Sequence, residues 1–153
     1  MRKIDEWLNE YGESHRNHMN EIIHWICVPL IFFSVMGFLY CIKLPFQLFH
    51  IQFNSAFIAS FAAVIYYLRL SQSLWVGLLL FSALCLFLCE FIERSGLTLW
   101  LICLIIFTGA WIGQFYGHNV EGKKPSFLKD IQFLLIGPAW LMSFIYKKLN
   151  IKI

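Results

Sequence analysis

The stretch WICVPLIFFSVMGFLYCI, residues 25–42, contains no charged side chain and is followed by Lys43 and Pro45. It approaches the length of about 20 apolar residues that an α-helix needs to cross about 30 Å of hydrocarbon. Pro29 lies near its beginning, where a helix tolerates a proline or bends at it. The stretch therefore predicts a membrane-spanning helix.

Four further apolar runs follow in the sequence. Residues 53–68, 70–89 and 97–116 contain no charged side chain, and the first of these runs is the shortest. The last run, residues 131–146, is short for a span and is interrupted by Gly137-Pro138. We predict four transmembrane helices, with the last run forming a re-entrant or interfacial fifth helix. The polar residues from Glu90 to Arg94 are expected to form an ordinary loop.

The composition places the chain among integral membrane proteins. It is 59% hydrophobic and 14% charged, whereas soluble domains have about 45–50% apolar and about 25% charged residues. We predict an all-α integral membrane protein with one domain, residues 1–153. Its parts are an interfacial N-terminal segment (1–24), a four-span bundle (25–116), a motif loop (117–130) and the fifth helix (131–148). The net charge of +3 forms no basic stripe, and we expect no nucleic-acid partner.

The N-terminal segment has an amphipathic pattern. Ile4, Trp7, Leu8 and Tyr11 recur at helical spacing between acidic and amide side chains. Trp7 is expected to anchor this segment at the membrane interface.

The distribution of lysine and arginine predicts the topology. If four helices cross, ten of the twelve basic residues lie on one side, and only Lys43 and Arg94 lie opposite. If the fifth run also crosses, the division is seven to five. The positive-inside rule favours the first arrangement, with both termini cytoplasmic. The protein would lie in the inner membrane if the cell is bacterial, or in the endoplasmic reticulum membrane if the cell is eukaryotic. His24 and His118 would then lie on the same side.

Two histidine-containing clusters stand at the ends of apolar runs. The first is YGESHRNHMNEIIH, residues 11–24, and the second is QFYGHNVEGKKP, residues 114–125. Histidine is the commonest transition-metal ligand. His15 and His24 are nine residues apart, which at about 100° per residue puts them on opposite faces of one straight helix. Both can bind one metal only if the chain bends, so we predict a bend near His15–Met19 and a helix that begins around Met19 to Glu21.

Several of these polar residues also have structural interpretations. The position of His18 is typical of a surface histidine, and the position of His50 is typical of a loop at the membrane interface. Asn20 could cap a helix, and Glu121 could be solvated. Lys123 and Lys124 could steer a substrate carboxylate, although membrane-surface lysines have the same pattern.

The two clusters together resemble a known family. Tyr11, His15, Asn20, His24 and Pro29, followed after the spans by Trp111, Gln114, Gly117, His118, Glu121, Pro125, Asp130 and Pro138, are similar to the Mpo-type 2-hydroxy-fatty-acid dioxygenases. The resemblance covers nearly the whole chain. One difference is that Glu121 is the third residue after His118, where the family has the glutamate as the fourth residue after its histidine. Another is that Pro125-Ser-Phe-Leu replaces the family's Pro-Ala-Leu.

The resemblance implies an Fe(II)-dependent enzyme that shortens a long-chain 2-hydroxy fatty acid by one carbon with O2. It implies that His15, His24 and His118 are the iron ligands. Asn20, Gln114 and Glu121 match the family's other polar positions and are the candidate catalytic residues. The alkyl chain of the substrate would lie between helices rich in phenylalanine and leucine, and the lipid bilayer is a further expected partner.

Two other interpretations remain. A non-catalytic scaffold or transporter-like protein could use the histidines only to stabilise the interface. A transporter, however, usually has polar groups near the midplane of its helices, and here they lie at the span ends. A di-iron desaturase or hydroxylase would need about eight histidines in HxxxH and HxxHH boxes, whereas this chain has five and no adjacent pair.

Overall fold

A computed structural model describes residues 4–48, 51–124 and 132–153. The described residues form helices joined by short connections and one β-hairpin. The helices are α1 (Ile4–Gly12), α2 (His18–Cys41), α3 (Ser55–Leu70), α4 (Leu74–Arg94), α5 (Leu99–Glu121) and α6 (Gln132–Lys148). Between α2 and α3, β1 (Lys43–Leu48) pairs antiparallel with β2 (Ile51–Asn54). The helical class is confirmed, and the hairpin is an addition to it.

Three helices, α2, α4 and α5, are long and apolar enough to cross a membrane. Helix α3 has 16 residues, which at 1.5 Å per residue is about 24 Å. It is therefore shorter than an untilted span of about 30 Å, and a count of four spans stays a prediction. Large apolar side chains face outward, with Phe61 68% and Phe87 66% exposed. Such surfaces suit lipid rather than water.

Helix α2 is central and packs against α3, α4, α5 and α6. Its contact with α5 is close because glycines face sulfur atoms across it. A Cβ built on Gly37 would lie 2.2 Å from Sγ of Cys103, and one built on Gly113 would lie 2.7 Å from Sγ of Cys27. Small residues allow helix backbones to approach each other in this way in membrane proteins.

The N-terminal helix α1 packs against α6. Trp7 and Tyr11 are buried, together with Ala139 and Trp140 of α6, in one apolar cluster. Trp7 therefore packs against α6, and its expected anchoring at the membrane interface stays a prediction. Burial against a neighbouring helix removes more of its ring from water than an interface would.

Helix α6 runs through Gly137 and Pro138 without a break. The fifth helix expected over residues 131–148 is thus present, because a proline removes one backbone hydrogen bond and need not end a helix whose packing compensates. Both residues are buried, and Gly137 gives room to the Tyr11 hydroxyl, which would lie 3.1 Å from a Cβ built there.

Two segments expected to be loops are the last turns of helices. Glu90 to Arg94 ends α4, where Nε of Arg94 donates to Oε1 of Glu90 at 2.5 Å. The motif loop placed at 117–130 is helical as far as Glu121, and α5 ends at Gly122, whose φ of 71° is left-handed. Glycine adopts that conformation without steric cost. His50, Pro125 and Asp130 lie outside the residues that the structure describes, as does the part of the predicted motif loop after residue 124.

Candidate metal centre

The chain bends between α1 and α2, as the histidine spacing predicted. Helix α1 ends at Gly12, and α2 begins at His18, one residue before the predicted range. Asn17 is the N-cap, since its side-chain oxygen accepts a hydrogen bond from the backbone N–H of Met19 at 2.9 Å. Asn20 is therefore not the N-cap, although its position in the sequence also allowed that role. It lies in the first turn of α2.

Three of the four histidines in the two clusters, His15, His24 and His118, meet at one point. The ring centroids of His15 and His24 are 4.1 Å apart, those of His24 and His118 are 4.9 Å apart, and those of His15 and His118 are 5.1 Å apart. One ring nitrogen from each lies within 4.8 Å of the others. Because metal–nitrogen bonds are about 2.1 Å long, nitrogens on one ion can be up to about 4.2 Å apart. Small side-chain adjustments would therefore bring all three onto one ion.

Backbone carbonyls fix the tautomers of two rings. Nδ1 of His15 lies 2.6 Å from the carbonyl oxygen of Tyr11, and Nδ1 of His24 lies 2.8 Å from that of Asn20. A carbonyl oxygen only accepts, so each Nδ1 carries the proton and each Nε2 carries a lone pair. Both Nε2 atoms are buried and make no hydrogen bond within the described residues. Metal-binding histidines are held by such carbonyl contacts.

Burial keeps the cluster neutral. His15, His24 and His118 are 5%, 1% and 3% exposed. Burial lowers the pKa of His15 to about 4, although its hydrogen bond to the Tyr11 carbonyl opposes this shift. The imidazole of His15 is therefore uncharged at pH 7, which is the form that binds a metal ion.

Two aromatic rings cover His15. The ring of Tyr11 stacks on it at 4.3 Å between centroids with an interplanar angle of 12°, and Trp140 of α6 lies 5.1 Å away. Sequence reasoning missed Trp140 because it belongs to the fifth apolar run, outside both histidine clusters. Its position two residues after Pro138 was the only signal available.

Glu121 binds backbone rather than joining the cluster of ligand atoms. Its carboxylate accepts hydrogen bonds from the backbone N–H of Arg16 at 3.0 Å and of Asn17 at 2.8 Å. Nδ2 of Asn20 lies 3.3 Å from the same carboxylate and donates to the carbonyl oxygen of Ser14 at 3.0 Å. Glu121 and Asn20 thus hold the bend that carries His15 against the end of α5.

The other residues singled out in the sequence occupy different environments. Gln114 is buried beside His118. Nζ of Lys123 donates to the carbonyl oxygen of Glu13 at 2.6 Å, which ties the end of α5 to the bend. Lys124 is exposed, and His18 is an exposed side chain with its Nδ1 3.9 Å from Glu21.

An apolar cavity begins at the histidine cluster and extends along α2. It holds about 860 Å³ of empty space, its opening included. Polar groups from Tyr11, Gln114 and His118 lie at one end. The remaining lining is largely apolar and comes from α2, α3, α5 and α6. The cavity can therefore take a molecule with one polar end and a long apolar tail.

The sequence is similar to those of a known protein family. Residues 1–149 match the model of the family described as "2-hydroxy-palmitic acid dioxygenase Mpo1-like". The chain belongs to the Mpo1-like family. It is also 33% identical over 143 residues to the 2-hydroxy-palmitic acid dioxygenase MPO1 of Saccharomyces cerevisiae, covering 92% of this chain and 78% of that protein. No solved structure matches.

Proposed function

We propose that this member of the Mpo1-like family is an Fe(II)-dependent dioxygenase that shortens a long-chain 2-hydroxy fatty acid by one carbon with O2. The observation that carries the proposal is the convergence of three buried histidines, two of which present Nε2 lone pairs with no hydrogen-bond partner among the described residues. The name of the yeast relative supports the substrate class. The positive-inside pattern supports a site at the cytoplasmic face of the membrane.

The donor set suits iron. Imidazole nitrogen is a good ligand for Fe(II), and three protein ligands leave coordination positions open. His15, His24 and His118 would hold the ion. Among the described residues, no carboxylate completes the common two-histidine, one-carboxylate arrangement, because that of Glu121 is engaged by backbone N–H groups. Bound iron would supply the redox chemistry with O2 and a point of attachment for a hydroxy-carboxylate.

The remaining residues orient the ligands and the substrate. The carbonyl oxygens of Tyr11 and Asn20 keep the Nε2 atoms of His15 and His24 unprotonated and aimed inward. Tyr11 and Trp140 cover His15 and exclude water from that side.

Two groups are available to the polar head of the substrate. The side-chain amide of Gln114, which lines the cavity together with His118, can donate a hydrogen bond to a substrate carboxylate. Lys124 is exposed and can attract that carboxylate from solution, whereas Lys123 is occupied by the Glu13 carbonyl.

Metal analysis paired with turnover tests the proposal. Detergent-purified protein is loaded with Fe(II) anaerobically, and O2 uptake and product length are measured with 2-hydroxyhexadecanoic acid. We expect one iron per chain and a product one carbon shorter, both lost in His24→Ala and in His118→Ala. Iron without turnover would move the search to another substrate. A wild-type protein that binds no metal would exclude the enzyme and leave the scaffold interpretation.

A further inference from the structure

The face of α2 that carries His24 continues as the wall of the apolar cavity. Val28, Phe32, Met36 and Leu39 follow His24 at steps of three or four residues, and all four line the cavity. Residues at this spacing share one helix face. The cavity therefore runs parallel to the helix axis and away from the histidines, rather than across the bundle.

The spacing of the lining residues along α2 gives the depth of the cavity. Val28 and Leu39 are eleven residues apart, which corresponds to about 16 Å at 1.5 Å per residue. A saturated chain built from C–C bonds of about 1.5 Å advances about 1.25 Å per carbon in its zigzag form. The depth thus suits about 13 methylenes beyond the reacting end.

Helix α3 meets the far part of this cavity with small side chains. Ala59, Ser60 and Ala63 line it, and Oγ of Ser60 lies 3.9 Å from Sδ of Met36. Since Met36 is eight residues beyond Val28, this contact lies about 12 Å along the cavity. A larger side chain on α3 at this level would fill space that is now empty.

We propose that Ala59, Ser60 and Met36 determine the longest acyl chain that the cavity accepts. The inference rests on the proposed function, because that function supplies the occupant: the alkyl chain of a 2-hydroxy fatty acid whose polar end lies at His118 and Gln114. The apolar lining matches such a chain, and its one polar end matches the head group. Small residues on α3 keep the far part open for long chains.

Two variants test the assignment by closing the far part. Ala59→Phe and Ser60→Phe are compared with Ala62→Phe, which places the same ring on the exposed side of the same helix. Binding of 2-hydroxy acids with 10 and 16 carbons is measured by calorimetry on Fe(II)-loaded protein without O2, so the readout does not depend on turnover.

We expect the dissociation constant of the 16-carbon acid to rise about tenfold or more in Ala59→Phe and Ser60→Phe, because several methylenes lose their apolar site. The 10-carbon acid, which ends before Met36, should bind within about twofold of wild type, and Ala62→Phe should match wild type for both. Equal weakening for both acids, or no change for either, would overturn the inference.

A widening variant covers the case in which the phenylalanine variants do not fold. Met36→Ala widens the far part of the cavity, so an 18-carbon acid, whose last carbons need extra volume there, should gain affinity relative to the 16-carbon acid. An unchanged ratio would contradict the assignment. If wild type binds the acids with this length dependence but consumes no O2, the proposed enzyme is excluded while the chain-length assignment stands.

Discussion

Gly117 of α5 lies directly against Asn20 of α2: a Cβ built on Gly117 would be 2.4 Å from Oδ1 of Asn20. Asn20 binds the Ser14 carbonyl and contacts Glu121 through its side chain, and its own carbonyl oxygen accepts from His24. Gly117 therefore makes room for Asn20, the residue that contacts both the bend before α2 and the ring of His24.

Gly117→Ala is expected to lower the affinity for Fe(II) about 10- to 100-fold, the range seen when residues that support metal ligands are changed. The added methyl group must displace Asn20, and with it the carbonyl that orients His24. Metal titration of the purified variant measures the effect. Gly109→Ala is the matched control, because a Cβ on Gly109 of the same helix has no neighbour within 4 Å. Equal affinities in the two variants would contradict this account.

Glu121→Gln should destabilise the protein by about 1–3 kcal/mol, since hydrogen bonds to a charged acceptor are stronger than those to a neutral one. In the variant, the backbone N–H groups of Arg16 and Asn17 no longer donate to a charged carboxylate. Thermal unfolding in detergent measures the change. Glu13→Gln, at an exposed position in the bend itself, should have little effect. If Glu121→Gln unfolds at the same temperature as wild type, the bend does not depend on the carboxylate.

The sequence was sufficient for the helical class and for the meeting of the histidines. Apolar runs without charge located the helices, because length and composition alone decide whether a segment suits the bilayer. The bend between His15 and Met19 followed from angular spacing, because a straight helix cannot aim His15 and His24 at one point.

Other features depend on tertiary contacts that a single sequence does not encode locally. The burial of Trp7 requires α6 as a partner, and the continuity of α6 through Pro138 requires packing that offsets a lost hydrogen bond. The extension of α5 past His118 depends on where Gly122 turns the chain. The binding of Glu121 to backbone N–H groups could not be read from its spacing to His118.

His18→Ala should retain the metal, whereas His15→Ala should lose it. His18 is exposed, with its Nδ1 3.9 Å from Oε2 of Glu21, while His15 belongs to the convergent cluster. Iron content after gel filtration of the two variants distinguishes these positions, although both lie in the same sequence motif. Loss of iron in His18→Ala, with the fold retained by circular dichroism, would require a different ligand set.

Gly37→Ala should destabilise the packing of α2 on α5 by about 1–3 kcal/mol, the usual cost of overfilling a packed interior. The built Cβ is 2.2 Å from Sγ of Cys103 but 3.5 Å from its Cβ, which is ordinary contact. Cys103→Ala removes the clashing sulfur, so the double variant should recover most of the stability lost in Gly37→Ala. The four proteins form a double-mutant cycle that chemical unfolding in detergent can measure. Additive losses in the double variant would mean that this sulfur is not what the glycine accommodates.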